Sequence, residues 1–348
     1  MKTIKNILIV LSVSFLLASC YGKDYIMDYD YSAAYVAYQY DLRTFIPGED
    51  VQVGFFVGLA GVVDNNRDRK VGVEIDNSLL SSNLAVFDPK GEAAAFTALD
   101  GLKGSAPLGA LSQGYVSDAF NASGLESLEA LPESYYTTSK VSGLAIEKGR
   151  HTAEVRITPT EEMFKDSKIL KPCYALAFKV NTADVDSLIR EKSFQIMAVK
   201  VENRFYGNWY HGGRTRTIKN STGATLSEDT YSREAPQADG RVYVLTTETV
   251  NSVTTNKIGN ENGSLRLTFD ADNNVKVEDV SGKRDIRAIN GQPSRFNGAK
   301  LIQDREIYLS YAWSNGDGTT TYVTDTIAFR NRIRDGINEW QDENTQNY

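Results

Sequence analysis

Apolar and polar positions alternate with a period of two along most of the chain from residue 31 onward. The alternation is clear in "VQVGFFVGL" (51–59), "HTAEVRITP" (151–159) and "FQIMAVKVEN" (194–203), each bounded by turn-forming residues. Such short one-sided segments are typical of strands that pack one face on a core. Together with "YVAYQYDL", "VGVEID" and "YALAFKVN" they predict a β-sandwich over residues 31–202.

The alternation is interrupted between about residues 84 and 131. This stretch is rich in Ala, Gly and Ser and has no clean period. It predicts an insertion with one or two short helices at the edge of the sandwich. Loops of this length are usually functional or mobile.

From about residue 204 the predicted strands follow one another through tight turns. "GSLRLTFD" and "VKVEDV" are separated by "ADNN", and "REIYLSYAW" and "TTTYVTDTIAFRN" are separated by "SNGDG". About eight such strands up to residue 332, with no helical segment between them, favour an up-and-down meander that closes on itself, because closure removes exposed edges. We therefore expect a β-barrel over residues 203–348, with the boundary between Val201 and Phe205, and an all-β protein.

One apolar run at the N-terminus breaks this pattern. Residues 7–17 follow Lys2 and Lys5 and are too few to span a bilayer, which needs roughly 20 residues, so residues 1–19 are predicted to be a signal peptide. "LASC" resembles the bacterial lipobox, in which the cysteine is acylated and becomes the first residue of the mature protein. Cys20 is therefore the predicted lipidation site; the alternative is an ordinary signal peptide with a chance cysteine.

The residues after Cys20 indicate on which side of the outer membrane the protein lies. In "YGKDYIMDYDY", Lys23 and Asp24 precede further acidic residues. This resembles the signal that sends Bacteroidetes lipoproteins to the outer face of the outer membrane. Residues 20–30 are predicted to be a lipidated tether and the protein to face the cell exterior; a solvated tether without signal function is the alternative.

The net charge and the cysteine content limit which partners and which means of stabilisation are plausible for this chain. The formal net charge is −7 and the chain has no run of Lys or Arg, which argues against nucleic acid as a partner. Once Cys20 carries lipid, Cys173 has no disulfide partner, so the fold must rest on its hydrophobic core. Cys173 is most simply a small buried apolar residue.

Several segments together resemble a known family. The lipobox, "LPESYYTTSKVSGLAIEKGRHTAEVRITP", "NRFYGNWYHGG" and the final "TDTIAFRNR" are similar to two-domain Bacteroidetes surface lipoproteins. The resemblance implies an immunoglobulin-like (Ig-like) β-sandwich followed by a lipocalin-like β-barrel. It also implies association with a Sus-type (starch-utilisation-type) glycan importer of the SusC/SusD type.

Within that resemblance, "GNW" matches the Gly-x-Trp motif of the first strand of lipocalin-like barrels. There the tryptophan plugs the barrel base beneath an arginine from the last strand. Trp209 is the corresponding plug, and Arg330 and Arg332 are the candidate arginines. Cation–π stacking of this kind is worth about 0.5–2 kcal/mol.

Other aromatic residues are candidates for ligand binding, because sugars present C–H faces that stack on aromatic rings. Three of them share the strand "REIYLSYAW", one lies on the partner strand, and one lies in the polar C-terminal tail: Tyr308, Tyr311, Trp313, Tyr322 and Trp340. The alternative for each ring is packing in the barrel or sandwich core.

The sequence supports neither a metal site nor a cofactor nor a catalytic residue. The stretches 64–68 and 270–274 place oxygen side chains at alternate positions, as calcium loops do, but Asx turns explain both. His151 lies in a strand, and His211, beside Gly212-Gly213, is interpreted as a turn residue, with a general base as the alternative. We expect no enzyme, although paired carboxylates of a glycoside hydrolase leave no local signature.

The combined expectation is a non-catalytic outer-membrane lipoprotein that binds carbohydrate for a neighbouring importer. The alternative from another class is a structural or adhesion protein whose partner is another protein of the surface complex. A glycoside hydrolase is the third possibility.

Overall fold

The structure, a computed structural model, describes residues 31–49, 52–81, 84–87, 93–105, 113–232 and 242–342. The predicted signal peptide, Cys20 and the tether lie outside the described residues. Within them, the chain folds almost entirely into strands, and no helix is both long and apolar enough to cross a membrane.

The N-terminal part contains two short helices, α1 (Ala98–Leu102) and α2 (Gly114–Ser123). Its strands are β1 (Ala33–Tyr35), β2 (Tyr40–Phe45), β3 (Val53–Ala60), β4 (Arg69–Ile75), β5 (Leu84–Phe87), β6 (Ala93–Phe96), β7 (Glu129–Ala130), β8 (Tyr136–Thr138), β9 (Leu144–Ile146), β10 (Thr152–Pro159), β11 (Tyr174–Ala183), β12 (Ser187–Leu188) and β13 (Phe194–Val201). Short 3₁₀ turns occupy Asn77–Leu80, Glu133–Tyr135, Met163–Lys165, Ser167–Leu170 and Arg190–Lys192.

Two curled sheets of this part pack face to face as the predicted sandwich. The first has the order β12-β1-β3-β10-β8, and the second has the order β2-β13-β11-β4-β9, with β7 beside β11. The ring of Phe55 from the first sheet stacks on that of Phe178 from the second, with centroids 4.6 Å apart. The alternating apolar positions of β3 and β10 therefore face one shared core.

The described residues of the interrupted stretch (84–87, 93–105 and 113–131) form a third layer, which corrects its predicted place at the sandwich edge. Besides the hairpin β5–β6, it contains α1 and α2, which pack on the outer face of the second sheet. The Tyr115 hydroxyl of α2 donates to Asp41 Oδ1 of β2 at 2.9 Å. The residues of this second core are Tyr40, Leu42, Phe96, Ala98, Leu102, Val116, Phe120, Ala175, Ala177, Ile196 and Ala198.

Cys173 lies just before β11 and is half-buried, not fully buried as predicted. Its Sγ donates to the carbonyl of Lys168 at 3.4 Å. Burial, together with the charge of Glu129, raises the pKa of the thiol.

The C-terminal part is a nearly closed barrel. Its strands are β14 (Gly207–Lys219), β15 (Thr225–Tyr231), β16 (Val242–Thr249), β17 (Ser252–Thr254), β18 (Lys257–Ile258), β19 (Glu261–Asn262), β20 (Leu265–Phe269), β21 (Val275–Asp279), β22 (Arg287–Ala288), β23 (Arg295–Phe296), β24 (Glu306–Ser314), β25 (Thr319–Arg334) and β26 (Ile337–Glu339), with a 3₁₀ turn at Ile302–Asp304.

The strand order of the barrel follows the chain, as the predicted meander requires. The path runs β21-β20-β17-β16-β14-β25-β24-β22, so the first long strand, β14, pairs with the last one, β25. The C-terminal half of β14 pairs with β15, and its N-terminal end pairs with β16. An isolated β-bridge between Asn274, just before β21, and Arg295 of β23 joins the two remaining edges of the barrel sheet.

Trp209 lies fully buried near one end of the barrel. Its Nε1 donates to the carbonyl of Phe205 at 2.9 Å, and its ring meets Phe329 edge-on at 5.4 Å. Gly207 has φ +127°, and a Cβ there would lie 2.8 Å from the carbonyl oxygen of Asn331. The glycine of the Gly-x-Trp motif is therefore required by a close approach to β25.

The two candidate arginines do not stack on this indole, which corrects the predicted arrangement. The guanidinium of Arg330 lies 5.7 Å from the ring of Tyr210, and that of Arg332 lies 5.5 Å from the ring of Tyr206. For Arg330 the reason is the alternation of side chains along β25: Phe329 is buried in the barrel, so the next side chain, Arg330, points outward and is exposed.

A final hairpin, absent from the predicted strands, extends the barrel beyond residue 332. Strand β25 continues to Arg334 and pairs with β26 through the turn residues Asp335 and Gly336, which have φ values of +51° and +78°. Asp-Gly with positive φ at both positions is the preferred sequence of a type I′ hairpin. The dipeptide "DG" was therefore the local signal for this element.

The sandwich and the barrel meet at a buried cluster of charges. Glu49 accepts hydrogen bonds from Arg305 Nη1 at 2.8 Å and from Arg332 Nη2 at 2.7 Å, and both arginines are buried. Arg332 also pairs with Glu339 at 2.6 Å. Nearby, the backbone N–H of Thr44 donates to Asp335 Oδ2 at 3.3 Å.

Candidate functional site

A cleft of about 530 Å³ opens at the end of the barrel away from Trp209. It lies between the C-terminal half of β14, β15, the β18–β19 hairpin, the loop after β21 and the β24–β25 turn. Its lining is mostly polar and comprises Thr215, Thr217, Ser227, Glu228, Asp229, Asn260, Glu261, Lys283, Arg284, Trp313, Ser314, Asn315 and Thr321.

Trp313 is the aromatic residue of the cleft. It is 7% exposed and points inward from the end of β24, stacked at 6.1 Å against the buried ring of Tyr311. The guanidinium of Arg284 lies 5.4 Å from the centre of the Trp313 ring. The indole thus forms the inner end of the cleft and carries a cation above it.

Two carboxylates hold that cation in place. Arg284 Nη2 lies 3.5 Å from Glu261 Oε2, and Nη1 lies 3.8 Å from Asp279 Oδ2. Asp279 also accepts hydrogen bonds from Ser281 and from the backbone N–H of Arg284. Although burial opposes it, this set of donors lowers the pKa of Asp279, so the carboxyl group is ionised at neutral pH.

Beside Trp313, the β24–β25 turn and β14 carry an ordered set of amides and hydroxyls. Asn315 Nδ2 donates to Thr319 Oγ1 at 2.8 Å and to Thr321 Oγ1 at 3.0 Å. The hydroxyl of Thr321 lies 3.1 Å from that of Thr217 on β14. These groups are held in place by the barrel strands and can donate to, or accept from, hydroxyl groups of a ligand.

Below the cleft lies a buried polar network centred on Asp325. Tyr231 donates to Asp325 Oδ1, and Tyr243 donates to Oδ2 at 3.1 Å. The hydroxyl of Tyr231 also lies 3.3 Å from Thr215 Oγ1, which lines the cleft. Tyr311 extends the network by accepting from the backbone N–H of Gly259 at 2.8 Å.

His211 lies within this network, in β14 and fully buried, so its interpretation as a turn residue is wrong. Its Nε2 is 3.3 Å from Asp325 Oδ2, but neither ring nitrogen has a hydrogen bond of acceptable geometry. The imidazole packs against the rings of Tyr231 and Tyr243 at 4.5 and 4.3 Å.

The five candidate binding aromatics do not share one surface. Tyr311 and Trp313 point into the barrel, and only Trp313 lines the cleft. Tyr308 and Tyr322 are half-buried on the outer side, where Arg295 covers the Tyr308 ring at 5.2 Å. Trp340 follows β26 and is 58% exposed. Successive side chains of a strand point to opposite faces, so Tyr308 and Tyr311, whose positions differ by an odd number, lie on opposite faces of β24.

Several polar residues of the cleft were missed at the sequence level. Arg284 and Asn260 come from loops whose arrangement depends on barrel closure. Asn315 lies in the predicted "SNGDG" turn, where a turn role accounts for it locally. Its proximity to Trp313 and Thr321 was the available signal.

The two calcium-like stretches are occupied by their own hydrogen bonds. Asp270 Oδ1 accepts from the backbone N–H groups of Asp272 and Asn274, as in an Asx turn. Asn65 is buried and donates to two backbone carbonyls of the loop before β10. The described part of the chain brings together no group of three His, Cys, Asp or Glu side chains able to hold a metal ion.

Comparison with known proteins bears on the fold. No protein-family model matches the chain, and no curated protein matches it. Among solved structures, a Bacteroides ovatus protein of unknown function is 18% identical with a TM-score of 0.59, covering 91% of this chain and 99% of that one.

Two further structures are more distant. A multidomain protein including DUF1735 from Bacteroides ovatus is 11% identical with a TM-score of 0.38, covering 89% of this chain and 100% of that one. An auxiliary nutrient binding protein from Bacteroides thetaiotaomicron is 10% identical with a TM-score of 0.37, covering 85% and 93%.

The first of these likenesses confirms the all-β fold over nearly the whole chain and bears on the fold alone. All three structures are of proteins from Bacteroides species. Association with a Sus-type importer stays a prediction.

Proposed function

We propose that this protein is a non-catalytic surface lipoprotein that binds carbohydrate in the barrel cleft. The observation that carries the proposal is the placement of one indole, Trp313, at the inner end of a cleft whose walls are hydroxyls, amides and carboxylates. A sugar combines an apolar C–H face with a ring of hydroxyl groups, which matches this combination of an aromatic surface and fixed polar groups.

Each wall has a defined part in this proposal. Asn315, Thr217 and Thr321 bind ligand hydroxyls on one side, and Glu228, Asp229 and Asn260 bind them on the other. Arg284 lies over the indole and is held at 3.5–3.8 Å from its two carboxylates, so a ligand that stacks on Trp313 displaces it toward Glu261. Its guanidinium then donates to ligand oxygens from the rim.

The sharpest test of the cleft is at its polar wall, because Trp313 also belongs to the barrel core. Asn315 is exposed, so Asn315→Ala removes hydrogen bonds to ligand; it also removes the internal bonds to Thr319 and Thr321, and the melting temperature of the variant measures that second effect. We expect the affinity for the preferred glycan of a broad panel to fall roughly three- to tenfold, the loss of one hydrogen bond. Isothermal titration calorimetry measures it.

The matched control is Asn338→Ala, which removes an exposed amide from β26, outside the cleft. It should leave the affinity unchanged. Equal effects of the two substitutions, or no binding of any glycan by the wild type at millimolar concentration, would overturn the cleft assignment. Chromatography of the glycan after incubation separates binding from hydrolysis, since a hydrolase shortens the chain.

Location is part of the same proposal and rests on the sequence "LASC" and the tether that follows. Cys20→Ala should move the protein from the membrane fraction to the soluble fraction. Antibody should stain intact cells that carry the wild type. Wild-type protein that is digested by external protease only after lysis would contradict surface display and leave the lipidation intact.

One observation favours a second candidate, docking to another protein of the surface complex. The C-terminal hairpin exposes three large apolar side chains, Ile333 (65%), Ile337 (60%) and Trp340 (58%), with Ile333 and Ile337 on opposite faces of the strand pair. A partner protein that contacts the hairpin would bury such side chains. Ile333→Asp should abolish cross-linking to an importer subunit in cells under this candidate and leave glycan affinity unchanged.

A further inference from the structure

A second feature lies on the outer face of the first sandwich sheet, far from the barrel cleft in the chain. In β3, Phe55, Val57 and Leu59 face the core, so Gly54, Phe56 and Gly58 face outward. Phe56 is 46% exposed, an unusual state for a ring on a regular strand.

Two rings lie across the backbone of this strand at its glycines. Atoms Cε2 and Cζ of Phe56 lie 2.6 Å from the position that a Cβ of Gly54 would take. Ring atoms of Tyr35, which pairs with Gly58 from β1, lie 2.9 Å from the corresponding position at Gly58. Only glycine permits these approaches, and the two ring positions are four residues, roughly 13 Å, apart along the strand.

Charged groups flank the exposed ring. Glu154 of β10 is the cross-strand partner of Phe56, and its Oε2 accepts from Arg156 Nε at 3.1 Å. Grooves border Phe56 and Glu154 on both sides. One, of about 310 Å³, runs to Arg43 and Arg334 at the junction with the barrel, and the other, of about 570 Å³, runs along Ser139 and Lys140.

The surroundings of Phe56 favour a glycan over a protein partner. A protein interface has a contiguous apolar centre, whereas Phe56 is bordered within the sheet by Gly54, Gly58, Glu154 and Arg156, and among the described residues Ile337 is the other exposed large apolar side chain of its grooves. Rings close to the backbone, with charged donors and acceptors beside them, fit a ligand that alternates C–H faces with hydroxyl groups.

We propose that Phe56 and Tyr35 form a second carbohydrate-binding platform, on which an extended polysaccharide stacks as it crosses β3. The two grooves that border Phe56 supply polar groups for its hydroxyls, and Tyr35 lies outside both grooves. The ligand class rests on the proposed function, but the platform uses none of the residues of the barrel cleft. A chain that reaches both ring positions is held at more than one sugar unit, so the platform selects polymers over short oligosaccharides.

The test is affinity gel electrophoresis of the full chain in gels that contain amylopectin, xylan, galactomannan or homogalacturonan. Phe56→Leu keeps an apolar side chain but removes the ring, and we expect the polysaccharide that retards the wild type to bind ten- to a hundredfold more weakly. Phe56→Trp keeps a ring and should retain binding. Leu226→Ala, which truncates a 57%-exposed side chain of the barrel, is the control and should change nothing.

The outcomes separate this platform from the cleft. Retardation that is lost in Asn315→Ala and unchanged in Phe56→Leu overturns the platform and leaves the cleft in place. Loss in Phe56→Leu alone supports the platform and overturns the cleft. Loss in Phe56→Trp equal to that in Phe56→Leu also overturns the platform, because a ring should rescue a stacking site. If none of the four polysaccharides retards the wild type, both assignments fall.

Discussion

At the scale of single residues, the barrel interior depends on Asp325. Two tyrosine hydroxyls donate to its two oxygens, and the whole group is buried. Burial raises the pKa of Tyr243, and the neighbouring Tyr311 and Asp325 raise it further. Burial and the charge of Asp325 raise the pKa of Tyr231 as well, so both hydroxyls are protonated and donate at neutral pH.

This arrangement predicts a large effect on stability at Asp325 and a small one at His211. Asp325→Ala removes the carboxylate that accepts from Tyr231 and Tyr243, which keep only the contacts with Thr215 Oγ1 and the carbonyl of Gly259, and we expect the free energy of unfolding to fall by about 2 kcal/mol. His211→Phe removes ring nitrogens that have no hydrogen bond in the structure, so it should change stability by less than about 1 kcal/mol. Urea unfolding followed by fluorescence measures both.

The order of the two effects is the decisive result. If His211→Phe destabilised the protein as strongly as Asp325→Ala, the imidazole would have to be an essential member of the network. The geometry of its nitrogens argues against this.

At the scale of elements, the second sandwich sheet is buried on both faces. In β11, Leu176 and Phe178 point into the sandwich core, whereas Ala175 and Ala177 point toward α1 and α2. The small side chains leave room for the helices against the strands. This explains why "YALAF" (174–178) is a continuous apolar run and not an alternating one.

The close packing of helix on sheet predicts the effect of a larger side chain. Ala177→Leu adds volume beneath the helices, and we expect it to lower the free energy of unfolding by about 1–3 kcal/mol through overpacking. Asn181→Leu, on the exposed part of the same strand, should change it by less than about 0.5 kcal/mol. A melting temperature of Ala177→Leu equal to that of the wild type would contradict a tightly packed third layer.

At the scale of the whole molecule, Glu49 links the sandwich to the barrel. It lies in the loop after β2, and its two arginine partners lie before β24 and near the end of β25. Although burial opposes ionisation, the hydrogen bonds and charges of Arg332 and Arg305 lower the pKa of Glu49 to about 2. We propose that residues 31–202 and 203–348 are separate folding units coupled by this contact.

The lowered pKa gives a stability contribution with a defined pH window. Because the folded-state pKa lies below the ordinary value of 4.5, the contribution is complete above about pH 5 and is lost as the pH falls toward 2. A shift of this size corresponds to a stabilisation on the order of 3 kcal/mol. In Glu49→Gln the free energy of unfolding should be lower at pH 7 and should converge on the wild-type value near pH 2.

Measuring the free energy of unfolding of the wild type and of Glu49→Gln from pH 7 to pH 2 separates the contribution of Glu49 from that of the other carboxyl groups. Parallel curves from pH 7 to pH 2, with a constant difference, would show that the charge of Glu49 is not what stabilises the junction. Under the two-unit proposal, Glu49→Gln should also separate the unfolding transitions of sandwich and barrel in calorimetry.

The sequence by itself determined the strand content, the meander of the second half and the place of the interruption after residue 84. These features follow from side-chain periodicity and turn residues, which act over a few neighbours in the chain. The same local rules also predict two features that the sequence analysis leaves out. These are the turn at Asp335-Gly336, and the placement of Tyr308 and Tyr311 on opposite faces of their strand.

Only the tertiary structure decided which residues form the cleft, the platform and the junction. Arg284 meets Trp313, and His211 meets Asp325, because the barrel closes with β14 beside β25. Glu49 and Arg332 are 283 positions apart in the chain, and no local pattern records their contact. Pairing of distant charges and the direction of a ring depend on sheet order and register, which are properties of the folded chain as a whole.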